Sequence, residues 1–363
     1  MTMQLTRRAW LLCAGLLTAL PAWTQALPTK ILFVGNSFTY TRPPALQYNA
    51  AAVEDMNYAN FLANPDGSDP ALPQPWGGVA GLFKAFADQA GLNWQVHHSL
   101  RGGATLRGHY LNTNPAGWNL RANIAAQRWD VVVLQGNSTE ALPRAGGDAP
   151  QFRAYVNKLQ QYVHVGAAEQ YRESALFPGG SNALRTIPAN PNANPDAQVL
   201  LYQTWARPDL TYQPAGGYFG EPLESMTADL AAAYADAALG NGRIAAVVPV
   251  GEAFMRAVQT GVALRNPYAP DDKHAVDLWW HEDQFHSSKY GSYLSALTMF
   301  GAITRIDPTS FGANEQAAAD LGIRPPHVQR LQRVAADQLA ASGYTLTRVN
   351  CLRASPNAGL VCR

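Results

Sequence analysis

The chain has 363 residues, 47% of them hydrophobic and 10% aromatic, enough to bury a substantial core in one large domain carrying loop insertions. Lys and Arg number 27 against 26 Asp and Glu, a formal charge of +1, so there is no basic field to hold nucleic acid and no acidic tail. The Arg-bearing stretch Arg101 to Arg107 reads as a solvated face or as substrate contacts.

In chain order, the first 26 residues read as a targeting signal outside the fold. Arg7-Arg8 precede an apolar stretch at 10–20, and Thr24-Gln25-Ala26 supplies a cleavage site, so the mature protein is expected to be exported, periplasmic or secreted. Thr6-Arg7-Arg8-Ala9-Trp10-Leu11 resembles a twin-arginine signal but also fits an ordinary secretory leader, and both routes stay open. The apolar stretch is too short for a normal membrane span, and Cys13 inside it lacks the remainder of a lipoprotein cleavage site. No stable membrane insertion is expected.

Strand-like apolar runs follow at 30–35, 94–99, 130–135, 198–204 and 243–249. Helical patterns stand between them at 79–89, 152–163 and 226–239, with further helices at 252–259 and through Tyr293 to Phe300, the last capped by Ser287 or Ser288. This alternation predicts an α/β fold, a three-layer α/β/α sandwich with a five-stranded, mainly parallel, flavodoxin-like sheet. The Pro-, Asn-, Gly- and Asp-rich segments 57–76 and 177–196 read as surface loops inserted in a single domain spanning 27–363. Beyond the signal only Cys351 and Cys362 remain; in an oxidising compartment they are expected to pair and staple the tail, contributing on the order of 3 kcal/mol.

Two short motifs carry chemistry. The run at 30–34 ends in Gly35-Asn36-Ser37, which places Ser37 on a strand-to-helix turn at the carboxyl end of a buried strand, where open α/β sheets hold their sites. About 250 residues later comes Asp283-Gln284-Phe285-His286. A serine hydroxyl is a poor nucleophile until an imidazole takes its proton, and the imidazole needs a carboxylate to fix its tautomer. Ser37, His286 and Asp283 are the candidates for these three roles.

Gly35-Asn36-Ser37-Phe38-Thr39 resembles the first signature block of the SGNH (GDSL-type) hydrolases, and Asp283-Gln284-Phe285-His286-Ser287 resembles their last. The resemblance implies a serine nucleophile, a histidine base and an aspartate partner. It also implies an oxyanion hole made from the Ser37 backbone amide, a glycine of a second block and an asparagine of a third. Leu100-Arg101-Gly102-Gly103-Ala104-Thr105-Leu106 matches the second block, with Gly103 the better fit and Gly102 the alternative. Val131 to Ser138 matches the third, with Asn137 in the donor position. Here the chain departs from the family: Gln135 stands where Gly is common and Ser138 where Asp is common. Gln135 is itself an amide at a strand end, so the third donor is Asn137 or Gln135.

Three other groups have two readings each. His274, His281 and His286 cluster in sequence with several acids, but a His-Glu-x-x-His zinc motif from His281 would need a ligand where Phe285 stands, so no metal and no cofactor are expected. His97, His98 and His109 border the second block as structural histidines or substrate contacts. Trp279-Trp280 read as core, or as a surface on which a sugar or acyl group stacks. The functional expectation is an exported carboxylic ester hydrolase acting through an acyl-enzyme on Ser37, with acetyl or other short acyl groups, on carbohydrate or another small molecule, as substrates. O-acyl transfer by the same triad, and a non-catalytic carbohydrate-binding relative, are the alternatives.

Overall fold

The computed structural model describes residues 27–63, 72–113, 118–353 and 359–362. The expected leader at 1–26, with Cys13, lies outside them, as does part of the first predicted loop. Strand β1 (Thr29–Gly35) is apolar on both faces, and Ile31, Leu32, Phe33 and Val34 are at most 1% exposed. A strand covered by helices on both sides must be so. It sits inside a six-stranded parallel sheet with β2 (Glu54–Asp55), β3 (Trp94–Leu100), β4 (Val131–Leu134), β7 (Gln198–Tyr202) and β8 (Ile244–Val248), in the order β2-β3-β1-β4-β7-β8. The five expected strands are present and the sheet has six. The additional one, β2, is a two-residue polar edge too short to show any alternation.

This order sets the place of the site. From β1 the chain first builds outward to β3, then returns to lay β4 on the other side, so the topological switch falls between the carboxyl ends of β1 and β4. The helices Gly78–Gln89, Val250–Gln259, Lys289–Thr304 and Pro325–Ala341 pack together on one face, and Leu106–Leu111, Ala149–His164 and Leu223–Leu239 form the other layer. Lys289–Thr304 is enclosed on nearly every side, with residues 291–302 all buried. Around it Phe33, Phe83, Phe86 and Phe300 make edge-on and tilted ring contacts at 5.7 to 6.0 Å between centroids.

The segment 177–196 is more than a loop. Its β6 (Leu184–Ile187) pairs antiparallel with β5 (Glu169–Arg172), a hairpin whose polar, largely exposed residues give no apolar alternation to read. At the tail, β9 (Cys351–Arg353) and β10 (Leu360–Cys362) pair antiparallel, and the Cys351–Cys362 disulfide joins directly opposed positions. Among the described residues no helix is long and apolar enough to cross a membrane.

Candidate active site

Ser37 is the first residue of the short helix Ser37–Tyr40, directly beyond β1, and is 9% exposed. Its N–H heads a helix, where no intrahelical carbonyl can reach it. The turn that presents it is built from buried amides. Asn36 Oδ1 caps the helix by accepting from Phe38 N at 3.1 Å, while Asn36 Nδ2 donates to Ala104 O at 2.8 Å and to Gly136 O at 3.2 Å. One side chain thus ties together the loops after β1, β3 and β4. Gln135, fully buried, completes the lattice: its Oε1 accepts from Asn36 N at 2.9 Å and Thr39 Oγ1 at 3.0 Å, and its Nε2 donates to Asn36 Oδ1 at 3.0 Å and to Gly136 O. A Cβ at Gly35 would lie 2.5 Å from Gln135 Oε1, so any larger residue there would push Gln135 out of this lattice.

That geometry corrects one expectation. Both N–H bonds of Gln135 are spent inside the turn, so Gln135 is not the alternative oxyanion contact but a brace beneath Ser37. His109 braces the same turn from the second-block helix. Its Nε2 lies 3.0 Å from Gly35 O, and because a carbonyl only accepts, this nitrogen carries the proton. Complete burial pushes the His109 pKa down to about 4, keeping the ring neutral, which makes it a structural histidine.

The other predicted donors meet at the mouth of these loops. Gly103 is exposed, has φ +69° and would leave an added Cβ in open space, whereas a Cβ at Gly102 would come within 3.1 Å of the Tyr40 hydroxyl. Asn137 Nδ2 donates one of its two N–H bonds to Gly103 O at 3.2 Å, bringing the second and third blocks into contact. Beneath them lies Glu140, which the sequence reading missed. Its carboxylate accepts from Asn137 N at 2.9 Å and from Leu106 N at 3.0 Å, fixing both loops from below, and burial pushes its pKa up to about 7 against those donors.

The Asp283–His286 pair is assembled locally. Asp283 Oδ2 accepts from His286 Nδ1 at 2.7 Å, while Asp283 Oδ1 accepts from the backbone N–H groups of Phe285 and His286, each at 3.0 Å. Gln284, at φ +56°, makes the reversal between them. Burial opposes the charge on Asp283, but the His286 donor and the two backbone donors outweigh it and hold this carboxyl below its ordinary range. For His286 burial lowers the pKa, the bond to Asp283 opposes, and the Arg42 and Arg207 guanidiniums add to the lowering. The imidazole is therefore neutral at neutral pH, with Nδ1–H on Asp283 and Nε2 left as the basic nitrogen.

An aromatic stack joins His286 to the turn that bears Ser37. The ring of Phe38, next to Ser37, lies 5.6 Å from the His286 ring and 4.3 Å from Trp205, which stacks in turn on Phe254 at 4.5 Å. Trp205 Nε1 donates to Phe285 O at 2.9 Å. Arg207 closes the arrangement: it pairs with both oxygens of Asp209, donates to Ser138 Oγ at 3.0 Å and lies 4.2 Å over the Phe285 ring. Ser138, where the resemblance leads to an expected aspartate, is thus the anchor for an arginine. Trp279, 1% exposed, is core, and half-buried Trp280 stands edge-on to His281.

The remaining histidines do not join the site. His97 contacts Glu54 and Gln127, and His98 is buried against Trp76 O at 2.7 Å. His274 and His281 are exposed, and among the described residues no three His, Cys, Asp or Glu side chains converge.

Known structures match this architecture. A DUF4886 family protein from Bacteroides uniformis superposes with a TM-score of 0.51 at 15% identity, over 89% of this chain and 98% of its own. The likeness is one of fold. The native aryl esterase of M. smegmatis (TM-score 0.42, 14% identity, 76% of this chain and 98% of that one) is also similar. So is a member of the lipolytic G-D-S-L family from Veillonella parvula (0.38, 12%, 77% and 100%). No family model matches the sequence, and no curated protein does. The α/β/α sandwich implied by the sequence resemblance is the one found.

Proposed function

We propose that the protein is a serine hydrolase of carboxylic esters, exported by its leader and taking acetyl or other short acyl groups. The observation that carries this reading is the Asp283–His286 pair, closed at 2.7 Å and packed through Phe38 against the turn that bears Ser37. Ser37 Oγ attacks the ester carbonyl as His286 Nε2 takes its proton; the new C–O bond forms and the carbonyl electron pair becomes an oxyanion. The Ser37 and Gly103 backbone N–H groups and the second N–H of Asn137 are the proposed donors to that oxygen. Collapse expels the alcohol, which leaves with the proton from His286. Water, deprotonated by the same imidazole, then releases the acid and restores Ser37.

The test is turnover of p-nitrophenyl acetate by the mature protein together with labelling by a fluorophosphonate. Turnover with the label on Ser37 alone is expected. Absence of both, or label on another serine, would overturn the assignment.

A further inference from the structure

Two arginines flank the Asp283–His286 pair, and they are not equivalent. Arg207 has a carboxylate of its own, Asp209, bound through two N–H groups. Arg42 has none. Its Nη1 donates to Thr41 O at 3.3 Å, and its Nη2 stands 3.7 Å from Asp283 Oδ2, beyond hydrogen-bond length from an oxygen that His286 already holds at 2.7 Å. Arg42 is not there chiefly to support Asp283, whose ionisation is secured by the His286 donor and two backbone N–H groups.

The backbone immediately before it is strained. Thr41 has φ +70° and ψ −152°, a region nearly reserved for glycine and costly for a β-branched residue; it is fully buried, and its hydroxyl has no partner. The residue immediately following this outlier is Arg42. On the preceding side, burial pushes the Tyr40 hydroxyl up, and the Arg42 guanidinium works against it. Arg42 thus stands beside the Asp283–His286 pair with 15% of its side chain exposed.

We propose that Arg42 reads the substrate, and that the preferred esters carry a carboxylate near the scissile bond. This inference rests on the reading of Ser37 as nucleophile. A guanidinium offers parallel N–H groups in a plane, matching the two oxygens of a carboxylate. Asp283 would not repel that group strongly, because its own charge is taken up by three donors. An O-acetylated uronic acid glycoside is a suitable probe, and the uronamide of the same skeleton is its neutral partner.

Acetate release from the two probes decides the matter. The wild-type protein is expected to favour the acid over the amide in kcat/KM by about tenfold or more, the worth of a charge-assisted hydrogen bond. Arg42→Gln should bring the two probes to equality, and Arg42→Lys should restore part of the preference, since the charge returns without the fork. On the wild-type protein alone, KM for the acid should rise with salt while KM for the amide stays level. Equal kcat/KM on both probes, or a preference that survives Arg42→Gln, would overturn the inference while p-nitrophenyl acetate turnover kept the nucleophile assignment standing. Turnover of none of the three esters would overturn both.

Discussion

The Ser37 side and the Asp283–His286 side of this site are built in opposite ways. Asp283 and His286 are three residues apart, and one loop supplies the carboxylate, the imidazole and the backbone donors that orient them. Ser37 is held from a distance instead: Asn36 is braced by Gln135, 99 positions on, and by Ala104 O, 68 positions on. The Asp283–His286 pair is thus a local product of a short sequence, and the turn that bears Ser37 a product of the whole sheet. Damage to the first should cost chemistry, and damage to the amides that brace the second should cost stability as well.

The largest effect tests where the two sides meet. Ser37→Ala should lower ester turnover by about four orders of magnitude or more, because members of a triad act as a unit. The melting transition should barely move, since Ser37 fills little of the core. A folded variant with wild-type turnover would break the assignment. Asp283→Asn should follow at about a thousandfold loss or more, by leaving His286 in the wrong tautomer; near-normal rates would mean that the 2.7 Å pair is structural.

The two amides of the third block sharpen the contrast. Asn137→Ala should lower kcat about a hundredfold with little change in KM, as removal of a donor to a developing oxyanion does. Gln135→Ala should act mainly on the fold. It strips partners from Asn36 N, Asn36 Oδ1 and the Thr39 hydroxyl in a dry interior, costing about 3 kcal/mol in chemical denaturation. If Gln135→Ala left stability intact and Asn137→Ala left kcat intact, both roles would have to be reassigned.

The same contrast explains what the chain disclosed. Strands β1, β3, β4, β7 and β8 and the Asp283–His286 pair were legible because apolar runs and a three-residue spacing are local signals. Gln135 was ambiguous because its identity marks only an amide at a strand end; that its partners are Asn36 and Thr39 depends on how β4 docks beside β1. Glu140 offered no signal at all, since an acid in a polar loop looks solvated until the loops at Leu106 and Asn137 fold over it. The helix Pro325–Ala341 went unread although Val328, Leu331, Ala335 and Leu339 carry a helical spacing, and all are buried. Its many Gln and Arg residues mask the stripe.

The smallest expected effect lies in the pH dependence. Only neutral His286 can take the Ser37 proton, so kcat/KM should rise with pH through the imidazole ionisation. Burial lowers that pKa from its ordinary 6.5, the Asp283 carboxylate opposes, and Arg42 and Arg207 add to the lowering, so the acid limb should fall below the usual histidine range. Arg207→Gln removes one cation and leaves Asp209 without its partner. Both changes favour imidazolium, and the limb should move toward higher pH. The height of the plateau will fall too if Phe285 loosens once the guanidinium is gone from its face. Limb position and plateau height are separate readouts, so packing loss alone cannot imitate the electrostatic shift. Gln135→Ala, which touches no group facing the imidazole, should leave the limb where it is. A wild-type limb at or above the ordinary range, or one indifferent to Arg207→Gln, would show that the arginine holds the loops together without tuning the base.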